Sequence, residues 1–386
     1  MKTIALPISL LLILLFSIRC RRDYRPPVIR NNPNLLVIDG FINAGANSTT
    51  AITLARTLRL GDSLGTHIPE LQATVTITGS DGSSITLQDM GNGTYISPQV
   101  SLDPNQNYRL KITTSNGSQY QSDAVTPRIA PPIDSLTWKQ DDSTGNVIVS
   151  ANTHDPANNS HYYRWFYTET WEYHAPLQSE LQLINGQIYF AIDSLTEEYL
   201  IYYCWRSDNS TDIVLANTTS FSQDRVSRQP IGTIPRGAQK ISIKYSMLAS
   251  QYVLTSDAYQ YWLILQKNTQ NLGTLFDPQP SQLASNIHCL TDPNEPVIGY
   301  LSASSAQQQR LFIDNNQVKN WDTLALACPI IQIARDPNDF HTYNYPDTLY
   351  GPYYFGTSPP LLFLSKRTCL DCREVGGTTQ KPSFWP

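Results

Sequence analysis

The chain has 386 residues and a formal net charge of −5; 15% are charged and 40% hydrophobic, with 22 Tyr and 26 Pro. A charged fraction well below the usual quarter excludes a coiled coil, a charge-rich disordered tail and a basic nucleic-acid binder. Only the N-terminus carries a long apolar run, which excludes a polytopic membrane protein.

That N-terminus predicts export. Lys2 precedes an apolar run from Ile4 to Ile18 that stops at Arg19-Cys20. The run is shorter than the about 20 residues of a helical span and has the size of a signal-peptide core. A Cys directly after it, in a chain whose next Cys is Cys204, reads as the lipidated Cys20 of a bacterial lipoprotein. Cleavage before Cys20 removes Lys2 and Arg19 and no acid, so the formal charge moves from −5 to −7. Acyl chains on Cys20 would hold the chain to the outer membrane, each buried CH₂ contributing about 0.8 kcal/mol. Residues 20–34 follow as a basic, Pro-bearing tether. Acidic residues after the Cys, expected of a lipoprotein moved to the cell surface, are missing, so periplasmic leaflet and cell surface both stay open.

Residues 35–126 read as strand, turn, strand. Thr74-Val75-Thr76-Ile77-Thr78 alternates apolar with polar, turns at Asp81-Gly82 and returns as Ser84-Ile85-Thr86-Leu87. Tyr108 to Thr113 alternates again and turns at Asn116-Gly117 before Tyr120. These dipeptides predict type I′ hairpins, whose two central residues both need φ > 0. The module is expected to be a β-sandwich of immunoglobulin or transthyretin type. Pro127, Pro131 and Pro132 mark a stiff linker over 127–134. Residues 135–386 then read as a larger β-rich domain with a fibronectin III-like start and a Cys-containing tail. Its strands are expected at Val147–Ser150, His161–Trp171, a hairpin around Asn185-Gly186, Ile241–Tyr245 and Val297–Leu301. One helix is expected, with Ser256 as N-cap and Tyr259, Trp262 and Leu263 on its apolar face. The fold class is therefore all-β and mainly antiparallel.

Five cysteines lie beyond Cys20: Cys204, Cys289, Cys328, Cys369 and Cys372. An oxidising envelope favours disulfides, and an odd count leaves one thiol over. A bridge from Cys328 to Cys369 or Cys372 closes a loop worth about 4 kcal/mol, against about 2 for the ring joining the C-terminal pair. Cys328 is thus expected to staple the tail to the body. The Cys369-Leu370-Asp371-Cys372 spacing has no matching second pair, so neither a metal nor any other cofactor is expected.

Catalytic patterns are weak. Gly61-Asp62-Ser63-Leu64-Gly65 has the letters of a nucleophile elbow but lies inside an antiparallel module, so the hydrolase reading is rejected and no catalytic residue is expected. Asp103-Pro104-Asn105 begins like a calcium loop, yet Tyr108 and Thr114 stand where Gly and Glu are needed. Asp-Pro recurs at Asp155, Asp277, Asp292 and Asp336, which suggests turn initiation. Aromatic residues are the better binding candidates. The run Tyr162 to Trp171 reads as strand faces filling a core. Tyr343, Tyr345, Tyr350, Tyr353 and Tyr354, in an expected Pro- and Gly-bearing loop, form a candidate surface for a glycan or peptide ligand.

Several stretches resemble one family. They are Tyr259-Gln260-Tyr261-Trp262, Gly273 to Ser281, Asn286-Ile287, Val297-Ile298-Gly299-Tyr300, and a tail running from Cys369 through Gly376-Gly377 to Phe384-Trp385. Together they resemble the Bacteroidota lipoprotein family catalogued as domain of unknown function 4249. The resemblance implies an outer-membrane location and genes beside TonB-dependent receptor barrels; it implies no activity. Two functions are then expected to compete: a non-enzymatic accessory of a TonB-dependent β-barrel receptor in nutrient capture or uptake, and a stand-alone glycan-binding or adhesion module.

Overall fold

Alternation builds the N-terminal strands: β1 (Leu36–Gly40), β2 (Ile42–Asn43), β3 (Ala51–Arg56), β4 (Ile68–Pro69), β5 (Thr74–Gly79), β6 (Ser84–Asp89), β7 (Thr94–Ile96), β8 (Tyr108–Thr113) and β9 (Gln119–Ser122). On β8, Tyr108, Leu110 and Ile112 point inward, and Arg109, Lys111 and Thr113 point to water. β6 pairs with β5 through residues 84–87 and with β7 through residues 88–89, so one strand turns the sheet's corner. The computed structural model describes residues 34–58, 68–178, 181–184, 187–190, 201–270, 284–321, 328–332, 351–355 and 361–386. Cys20, the tether residues 20–33, Gly61 to Gly65, the Asn185-Gly186 turn, Asp277, Asp336, Tyr343, Tyr345 and Tyr350 lie outside them.

The larger region contributes β10 (Ile133–Gln140), β11 (Val147–His154), β12 (Tyr162–His174), β13 (Leu181–Ile184), β14 (Gln187–Phe190), β15 (Tyr203–Asn209), β16 (Val214–Asn217), β17 (Arg225–Ile234) and β18 (Lys244–Val253). After helix α1 (Ser256–Gln270) come β19 (Ile287–Cys289), β20 (Ala303–Ser304), β21 (Gln307–Asp314), β22 (Ile331–Gln332), β23 (Gly351–Phe355) and β24 (Leu361–Ser365). The sheet β10-β11-β17 packs on the sheet β15-β12-β18-β21, in which β16 also pairs with β12. Val149 of β11, Trp165 of β12, Ile231 of β17 and Tyr245 and Met247 of β18 share the core between them. Burying each such side chain contributes about 1.5–3 kcal/mol. A buried amide ties the two layers: Trp165 Nε1 donates to Gln251 Oε1 at 3.0 Å, and Gln251 Nε2 donates to the Pro131 carbonyl at 2.8 Å. The fold is all-β and mainly antiparallel.

The N-terminal core is completed from far along the chain. β19 pairs with β9, and β20 runs parallel to β2, so the nine-stranded sheet ends on a strand from the larger region. Ile287, Val297, Leu301 and Ala303 join Leu36, Ile52, Leu54 and Val75 in one core. The 127–134 segment is pinned there too, with Arg128 N–H on the Ala303 carbonyl and Ser305 N–H on the Arg128 carbonyl.

Four local expectations need correction. At Asp81-Gly82 and Asn116-Gly117 only the Gly has positive φ; Asp81 and Asn116 instead accept N–H bonds from Ser83 and Ser118, so the turns are not type I′. Val297–Leu301 is not a strand: Ile298 exchanges two hydrogen bonds with β1, and a side chain on Gly299 would strike the Ile38 carbonyl 2.3 Å away. Ile241 ends a 3₁₀ turn, and the strand begins only at Lys244. On α1 the cap is Thr255, whose Oγ1 accepts from Ala258 N–H, and the buried residues are Ala258, Tyr261 and Trp262. Trp262 keeps its expected place, and Ala258 and Tyr261 join it in the cluster with Leu254 and Ile213, against which Tyr259 packs only partly buried. The recurrent Asp-Pro turns share one device: Asp103, Asp155 and Asp292 each accept from the N–H two residues on.

Candidate functional site

A charged cleft of about 780 Å³ opens at one end of the N-terminal sheet. Arg56 at the end of β3, Glu70 just after β4, Tyr120 on β9 and Glu295 from the loop after β19 form its floor. Arg56 Nε donates to Glu70 Oε2 at 2.6 Å, and Nη1 donates to the Asn34 carbonyl at 3.1 Å. Tyr120 Oη donates to Glu295 Oε1 at 2.8 Å, and Arg56 Nη1 reaches the same oxygen at 3.5 Å. Burial works against the Arg56 charge, but its bonds to Glu70 and Tyr120 outweigh it and raise its pKa. Tyr120 is fully buried; burial first, then its bond to Glu295, pushes its pKa up to about 12.

One guanidinium faces two carboxylates, so the cleft holds a surplus negative charge and favours a cationic group. Its rim is apolar, with Ile68 43% and Leu71 45% exposed. Gln72 N–H donates to Asp89, which brings the turn bearing Met90, 58% exposed, beside them. The thiol of Cys289, the one unpaired cysteine among the described residues, is buried behind the floor at 3.5 Å from Glu295 Oε2.

The other constellation is a clamp on the C-terminal tail. Cys204 is joined to Cys372 and Cys328 to Cys369. Tyr173 Oη donates to the Cys372 carbonyl at 2.6 Å, and Trp205 and Thr378 exchange main-chain bonds. A side chain on Gly377 would lie 2.2 Å from Tyr173 Oη, so the backbone approach needs glycine. Trp385 Nε1 donates to Glu172 Oε2 at 3.0 Å, and Arg310 stacks 3.5 Å over Phe384. The tail is docked by its own aromatic end.

Of the tyrosines proposed for ligand binding, Tyr353 and Tyr354 fall on β23, paired with β24. The run Tyr162 to Trp171 is divided by the pleat of β12. Tyr163, Trp165, Tyr167 and Trp171 enter the core, while Tyr162, Arg164 and Phe166 line the opposite face. The cleft residues carry no sequence motif: Arg56 closes a mostly apolar strand, and Glu295 lies 239 positions further along the chain. Among the described residues, no group of three or more His, Cys, Asp or Glu is placed to hold a metal.

A family model described as Domain of unknown function (DUF4249) matches residues 21–310, more than half of the chain. The match includes the stretches at 259–262 and 297–300; the Cys369–Trp385 tail lies beyond it. A search of curated proteins found no match.

Proposed function

The chain belongs to the DUF4249 family, and on that premise we propose that it is a non-enzymatic outer-membrane lipoprotein, lipidated at Cys20, that serves a TonB-dependent β-barrel receptor as an accessory in nutrient capture or uptake. The observation that carries this reading is where the chain enters the fold. Asn34 forms the lip of the charged cleft, with its carbonyl held by Arg56, and Ile68, Leu71 and Met90 stand exposed at that same end. The residues from Cys20 to Asn34 can span at most about 50 Å. A lipid on Cys20 would therefore hold this end within about 50 Å of the membrane. Exposed apolar groups around a charged centre suit a protein partner that offers an apolar patch and a basic side chain.

The test is a mild-detergent pull-down of the tagged protein from its own outer membrane, with mass spectrometry of what accompanies it. A stoichiometric TonB-dependent barrel is expected, and Leu71→Asp with Met90→Asp, both at exposed positions, should lower its recovery. A lipidated, intact protein that brings no barrel overturns the reading.

A second reading rests on a different cleft. Asn43, Asn47, Gln99, Gln307 and Gln308 line an uncharged opening of about 610 Å³ between the two regions. Side-chain amides suit the hydroxyls of a neutral glycan. Retention on a polysaccharide column without any barrel would favour this stand-alone binding role.

A further inference from the structure

Arg164 lies between Tyr162 and Phe166 on the outer face of β12, opposite Tyr252 of β18. Its guanidinium carbon sits 3.4 Å over the Trp262 ring of α1 and 6.0 Å from the Tyr252 ring. Further rings extend this wall. Phe41 and Phe166 pack on Tyr252 at 4.4 and 5.4 Å, and Tyr261 packs on Trp262 and Tyr300 at 5.5 and 5.2 Å.

The charge at the centre of these rings is not neutralised. Its Nε is buried without a hydrogen-bond partner, and among the described residues no carboxylate forms an ion pair with it. Asp39, exposed nearby, acts on it only through its field. Burial accordingly draws the Arg164 pKa below the usual arginine value. Removing a charge from water without a partner is costly, and a protein that keeps one in place commonly uses it. Trp262 occupies the guanidinium's face and fixes its plane. The residue is partly exposed, and of its three guanidinium nitrogens only Nε is buried without a partner, so the terminal nitrogens form its more open edge. A planar fork held by its face, with its edge unpaired, has the geometry that recognises a carboxylate in two-pronged fashion.

We propose that Arg164 is the anion-binding group of a ligand site on this face, one that takes the carboxylate of a ring-bearing compound. The ligand's ring lies against the half-buried Phe41, Phe166 and Tyr300 side chains. The ring belongs to a sugar acid or to an aromatic acid; both offer a flat or semi-flat apolar face beside a single carboxylate. The field of Asp39 selects against more highly charged anions. This site is independent of the lipid anchor and of the charged cleft.

Calorimetric titration of the full chain with galacturonate, benzoate, neutral galactose and inorganic phosphate tests the site. At least one of the two monocarboxylates should bind saturably, with galacturonate pointing to a sugar acid and benzoate to an aromatic acid. Galactose and phosphate should not bind. Arg164→Lys keeps the charge but loses the fork, so the affinity should fall about tenfold or more. Asp39→Asn, an exposed change that leaves folding intact, should strengthen binding several-fold. No binding of either carboxylate at millimolar concentrations would overturn the proposal. So would unchanged affinity in both variants, or phosphate binding as tightly as the carboxylates.

Discussion

Two arginines, one in each region, are withdrawn from water in opposite ways. Arg56 is buried in the N-terminal module against Glu70, Tyr120 and Glu295, and those partners raise its pKa. Arg164 is stacked on Trp262 on the outer face of the larger region, and burial lowers its pKa, with no ion-pair partner among the described residues to offset it. The difference separates two uses of one side chain. A charge whose neighbours neutralise it holds the structure together, and a charge left with an open edge is available to a ligand.

The comparison breaks most sharply if the two arginines are removed in turn. Arg56→Met leaves two carboxylates facing each other without their cation and should cost about 3–5 kcal/mol, read as a lowered denaturant midpoint. A loss below about 1 kcal/mol would show that the cleft relaxes around the missing charge and that the network is not structural. The alkaline limb of stability sharpens the same point. The folded-state pKa of Tyr120 is raised from its ordinary value near 10 to about 12. Its contribution is therefore complete below pH 10 and is lost as pH climbs through 12. It amounts to about 3 kcal/mol. Tyr120→Phe should flatten that part of a stability curve measured between pH 9 and pH 12, and an unchanged curve would reject the assignment. Thr255→Ala removes the cap of the helix that carries Trp262, and should cost about 1 kcal/mol in thermal or chemical unfolding. The smallest effect is expected at Arg164 itself. Arg164→Met loses a cation–ring contact but relieves an unpaired charge, so stability should change by no more than about 1 kcal/mol. A large loss there would make Arg164 a structural residue like Arg56.

Much of the fold can be read from local pattern. The alternation in Thr74–Thr78 and Tyr108–Thr113 places those strands and says which side faces the core, because side chains on a strand change face at every residue. The Asp-Gly and Asn-Gly pairs place the hairpins but not their type, since an acceptor side chain can satisfy the turn without a left-handed backbone. Val297–Leu301 looks like a strand because it is apolar and partly β-branched, yet its only bridge pairing with β1 is at Ile298. The candidate sites are far less legible. Nothing near Arg56 announces Glu295, and the aromatic run around Arg164 shows period-2 burial without revealing that helix α1 covers its outer face.

By itself, then, the amino-acid sequence determines the all-β class, the family and the stock of cysteines. The reason is that strand periodicity, turn chemistry and residue identity are properties of neighbours in the chain. The tertiary structure alone decides that residues 287–304 complete the N-terminal core, that Cys204 pairs with Cys372 and Cys328 with Cys369, and which arginine is neutralised. Those outcomes depend on which distant groups meet when apolar area is buried and polar atoms seek partners. Arg56 met two carboxylates and Arg164 met a ring, and no local pattern distinguishes the two.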